Sequence, residues 1–80
     1  MKGKVALINP KRGMAALITE NGEYTSFEPA GYDVEIGDII SGDLESVGGK
    51  TWHNETKMEE IEVMVEDIGS NKETALRIIS

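Results

Sequence analysis

Apolar residues in this chain come in short runs, the longest four or five residues, divided by glycines and turn-forming pairs. Val5–Ile8 predicts a first strand, and Pro10-Lys11-Arg12-Gly13 a turn, because Pro10 has no amide to donate to a ladder. Met14–Ile18 is a second strand. Asn21-Gly22, set between apolar runs, predicts a type I′ hairpin, in which both central residues take positive φ. Tyr24–Phe27 is the third strand, and Pro29–Tyr32 reads as a loop. Gly37-Asp38 predicts a tight turn into a fourth strand, Ile39 to about Leu44. Gly48-Gly49 breaks the chain again, and 50–56 carries no assignable pattern. Over 57–68 the alternation is strict. Ile61, Val63 and Val65 point one way, and Glu60, Glu62, Met64 and Glu66 the other, which predicts a long, half-buried last strand. Ser70-Asn71-Lys72-Glu73 fits a capping box, with Ala75, Leu76, Ile78 and Ile79 as the apolar stripe of a short helix over 70–79. Five short strands with no interior helix long enough for a βαβ crossover predict a mainly β fold, one small antiparallel barrel over 1–80.

Composition narrows the class. An 80-residue chain forms one domain with a small core. Without cysteine it has neither disulfide nor thiolate metal ligand, which fits a reducing compartment. No apolar run approaches the ~20 residues of a membrane span, so the cytoplasm is the expected location. The net charge of −7 is unevenly spread. Residues 1–19 hold Lys2, Lys4, Lys11 and Arg12 and no acid, for +4. Residues 20–80 set Lys50, Lys57, Lys72 and Arg77 against all fifteen acids, for −11. An acidic whole repels polyphosphate at long range, while a local basic strip can touch one. The plainer expectation is that basic N-terminal strands pair with acidic neighbours inside the same fold.

The residues of the N-terminal half resemble a bacterial cold-shock domain. Lys2-Gly3-Lys4-Val5, Asn9 and Lys11-Arg12-Gly13 stand in that family's order. Arg12-Gly13-Met14-Ala15-Ala16-Leu17 falls where the family has its first RNP motif, and Gly37-Asp38 where its fourth strand opens. The match covers 1–44. It implies a five-stranded OB-like barrel that binds single-stranded RNA or DNA on an aromatic platform. Here Leu7, Met14 and Ala16 stand at platform positions, Ser26 is near the family's histidine, and only Tyr24 and Phe27 keep rings. Base–aromatic stacking contributes about 1–3 kcal/mol per base, so three lost rings weaken such binding by orders of magnitude.

Candidate chemistry is sparse. His53 is the only histidine and cannot make a metal site alone. Trp52, the only tryptophan, reads as a core or loop anchor. Glu59, Glu60, Glu62, Glu66 and Asp67 lack the spacing of a calcium loop and read as a solvated strand face. Gly48-Gly49-Lys50-Thr51 is not a phosphate loop, because Leu44 occupies the place of its first glycine. Asn54-Glu55-Thr56 fits a glycosylation acceptor, with nothing in the sequence directing secretion. No catalytic constellation, cofactor motif or metal motif is present. The expected function is therefore a non-catalytic interaction module. Its protein-binding patch is Leu7, Met14 and Ala16, if exposed beside Lys2, Lys4, Lys11 and Arg12. The alternative is weak single-stranded nucleic-acid binding through those cations with Tyr24 and Phe27. A self-associating subunit is a third reading.

Overall fold

A computed structural model describes residues 1–31 and 33–80; Tyr32, placed in a loop by the sequence reading, lies outside the described residues. Six strands and one helix follow in order: β1 Lys2–Asn9, β2 Met14–Thr19, β3 Tyr24–Pro29, β4 Ile39–Ser41, β5 Gly48–Asn54, β6 Glu59–Ser70 and α1 Lys72–Ile79. All pairings are antiparallel, and they close a barrel in the order β1-β2-β3-β6-β5-β4, with β4 returning to β1. This mainly β closed barrel with a short terminal helix is consistent with an OB-like fold, and closure reduces the sheet edge left to the solvent. Among the described residues, no helix is long and apolar enough to cross a membrane.

The strand count corrects the expected five. Residues 50–56, without a legible pattern, lie mostly in β5, where Trp52 and Asn54 point inward and Thr51 and His53 outward. Their inward set mixes an indole with an amide, so hydrophobicity alone shows no alternation. β4 is only three residues long; Leu44, expected at its end, is buried outside it. β6 has the predicted period, with Ile61, Val63 and Val65 buried and Glu60, Glu62 and Glu66 exposed.

The β2–β3 turn is not type I′. Gly22 takes φ +80, and Asn21 is not among the residues with positive φ. The Gly22 amide donates to Thr19 O and the Thr19 amide to Glu23 O. A turn with glycine as its single left-handed residue satisfies the hairpin, so only one of the two central residues needed the special conformation. At the helix start, Asn71 rather than Ser70 is the cap: its side chain accepts from the Thr74 amide at 2.9 Å. Ser70 closes β6 and its hydroxyl turns back to the Asp67 carboxylate.

The barrel interior is filled by Val5, Ala15, Leu17, Phe27, Ile40, Leu44, Trp52, Ile61, Val63 and Val65. Trp52 is buried and donates from Nε1 to Asp43 O at 2.8 Å. Thr25, also inside, donates to Leu44 O at 2.8 Å, so its hydroxyl costs little by burial. A second, smaller cluster lies outside the barrel, between the sheet and α1.

Candidate functional site

A break in the parity of β1 builds the outer face of the barrel. Gly3 and Val5 point inward, as alternation requires. Between Val5 and Leu7 the register with β2 shifts, from Val5 opposite Leu17 to Leu7 opposite Ala16. The extra residue is a β-bulge, and it exchanges the faces of everything after it. Ile8 now packs on the barrel core, and Leu7 lies with the external cluster.

Two cross-strand rows result on the outside. The first runs Leu7, Ala16, Ser26, Asp67 across β1, β2, β3 and β6. α1 packs over this part of the sheet with Ala75 and Ile79, burying Met14 and Ala16, while Leu7, Tyr24 and Ile78 are partly covered. The second row runs Ile39, Lys4, Ile18, Tyr24 across β4, β1, β2 and β3. It is open: Lys4 is exposed, and Ile39, Ile18 and Tyr24 are half-buried. Lys2, Gly3, Thr19 and Glu20 complete a shallow depression along it.

The sequence-predicted site residues therefore part company. Phe27 is wholly buried in the barrel, edge-on to Trp52, and offers no ring to a ligand. Leu7, Met14 and Ala16 come together under α1, and Tyr24, half-buried, packs against them. The patch expected if they were exposed is occupied by α1. Among the cations, Lys2 pairs with Glu55 at 3.1 Å. That hydrogen bond, followed by one from Ser41, holds the Glu55 carboxyl below its ordinary value of 4.5. The Arg12 guanidinium donates to Ser80 O beyond the end of α1, where cations suit the carbonyl end of a helix. Asn9 joins it there, donating from Nδ2 to Ile79 O at 2.8 Å. Lys4 and Lys11 make no ion pair among the described residues.

Ile18 and Ile39 were not singled out by sequence reasoning, and Asn9 and Ser26 were named only as positions of the resemblance. Ile39 reaches Lys4 only through β1–β4 pairing, a long-range contact without a local signal. Asn9 was placed in a motif, but its partner is seventy residues away.

Elsewhere, Asp38 is buried and stitches the β3–β4 connection to the β5–β6 hairpin. Its Oδ2 accepts from the Asn54 side chain at 2.9 Å and the Glu35 amide at 3.0 Å. Lys57 lies 3.0 Å from Glu35 and 3.7 Å from Asp38. His53 sits on the outer face, its Nδ1 3.8 Å from Glu60. Among the described residues, no group of three His, Asp or Glu is placed to hold a metal. No protein-family model, no curated protein and no solved structure matches this chain.

Proposed function

We propose that this chain is a non-catalytic interaction module, a divergent cold-shock-like OB barrel that binds a protein segment carrying acidic and apolar side chains. The observation that supports it is the open row Ile39–Lys4–Ile18–Tyr24. Two half-buried branched aliphatics flank an ammonium that makes no ion pair among the described residues, and a tyrosine closes the row. Such a strip suits an extended segment whose carboxylate meets Lys4 while its apolar neighbours cover Ile18 and Ile39. Stacked bases have little to gain here. The platform positions are aliphatic and lie beneath α1, and Phe27 is in the core.

The second reading is weak binding of single-stranded RNA or DNA through Lys2, Lys4, Lys11 and Tyr24. It is favoured by Lys4 and Lys11, which are exposed and unpaired with acids among the described residues. The two readings separate in one experiment. The immobilised chain is challenged with nuclease-treated lysate, beside Lys4→Glu and Ile18→Glu variants, and an oligothymidylate titration is run at physiological salt. Protein capture lost in both variants supports the first reading. Capture that survives both, or micromolar oligonucleotide binding that weakens steeply with salt, overturns it.

A further inference from the structure

Two apolar clusters hold this chain together, and they share no residue. The larger fills the barrel. The smaller joins Met14 and Ala16 to Ala75 and Ile79 and exists only because α1 lies on the outer sheet. The barrel thus completes its core without the helix.

α1 has eight residues, of which only Ala75 and Ile79 are fully buried. Helices shorter than about 12–15 residues do not sustain themselves in water, so α1 depends on its docking. Its connection to β6 is short: Gly69 takes φ +65, and Asn71 alone separates strand from helix. At the other end the β1–β2 turn holds it, through Asn9 to Ile79 O and Arg12 to Ser80 O. In the covered row, the Ser26 hydroxyl is completely buried and has no hydrogen-bond partner among the described residues. An orphan hydroxyl penalises the closed arrangement and is relieved when water or a ligand reaches it.

We propose that α1 is a latched cover, which lifts from the Leu7–Ala16–Ser26 row while the barrel stays folded. The proposal rests on reading the outer face as the binding surface, and it states how that surface grows. Opening joins the covered row to Ile39–Lys4–Ile18–Tyr24, so the same acidic and apolar partner segment gains Leu7, Met14 and the Ser26 hydroxyl. Opening also releases the Arg12 guanidinium from Ser80 O. Asn9 and Arg12 are the latch, acting through the helix end.

Native-state hydrogen exchange on the full chain, read amide by amide, tests the cover without any partner. The amides of Leu76 to Ile79 exchange about a hundredfold faster than those of Val5, Leu17 and Val63, which report opening of the barrel. Asn9→Ala combined with Arg12→Ala speeds α1 about tenfold further and leaves the barrel amides unchanged. Ser26→Ala, which removes the orphan hydroxyl, slows exchange in α1. Helix amides that share the slowest barrel rates overturn the proposal, as does acceleration of helix and barrel together in the double variant, or faster α1 exchange in Ser26→Ala. Any of these outcomes leaves the open row as a binding surface untouched, whereas failed protein capture with fast α1 exchange removes the surface and keeps the cover.

Discussion

Phe27 meets Trp52 edge to face inside the barrel, with ring centroids 5.0 Å apart and planes inclined at 70°. The positive ring edge on the negative ring face adds to the area both bury. Phe27 on β3 and Trp52 on β5 flank β6, which places the pair at the centre of the closed sheet.

Phe27 therefore carries stability rather than binding. Phe27→Ala is expected to destabilise the barrel by about 3–5 kcal/mol, a large part of the ~5–15 kcal/mol of a small domain. Equilibrium urea unfolding checks this. A loss below about 0.5 kcal/mol, the figure for a surface ring, would contradict the buried position.

Gly3 has no room for a side chain. A Cβ there would lie 2.8 Å from Leu17 Cδ1 and 2.9 Å from Ile18 O, the latter backbone that cannot swing aside. Gly3→Ala is expected to cost about 1–3 kcal/mol by overpacking. A thermal melt gives the comparison, with Gly49→Ala as control, where nothing lies within 4 Å of the added methyl and φ is not in the left-handed region.

The helix cap can be assigned by a pair of substitutions. Asn71→Ala removes the acceptor of the Thr74 amide and is expected to cost about 1 kcal/mol. Ser70→Ala removes a hydrogen bond to Asp67 and leaves the capped amide satisfied. Backbone chemical shifts of residues 72–76 report helicity directly. Loss in Ser70→Ala and not in Asn71→Ala would restore the capping box that the sequence suggested.

Lys57 ties stability to alkaline pH. The hydrogen bond to Glu35, aided by the charges of Asp38 and Glu35, raises its pKa above the ordinary 10.5. A raised folded-state pKa means that the contribution is complete below 10.5 and is lost as pH climbs through the higher folded value. Asp43 has the opposite sign. The Ser46 hydroxyl, then the Glu45 amide, lower its carboxyl below 3.8, so its contribution holds above that value and is lost as pH falls through the depressed one. Lys57→Met is expected to flatten the alkaline limb of a stability–pH curve. An unaltered alkaline limb would place the titrating group elsewhere.

The sequence alone determined what local physics controls. The alternation read over 57–68, realised as the strand Glu59–Ser70, was legible because a half-buried strand must place apolar and charged residues on opposite faces. Gly13 and Gly22 marked their turns because each takes positive φ, and the stripe Ala75–Ile79 announced a helix. Local patterns do not carry parity across a bulge, nor say what rests on a finished surface. The shift after Val5 sends Leu7 outside and Ile8 inside, and it is defined only by the register between β1 and β2. Lys4 joins Ile39 only when the barrel closes, and Met14 and Ala16 become covered only when α1, from the other end of the chain, lies down on them. Those are long-range contacts, set by the sum of weak packing terms over the whole fold. For that reason only the tertiary structure could decide which half of the outer face stays open.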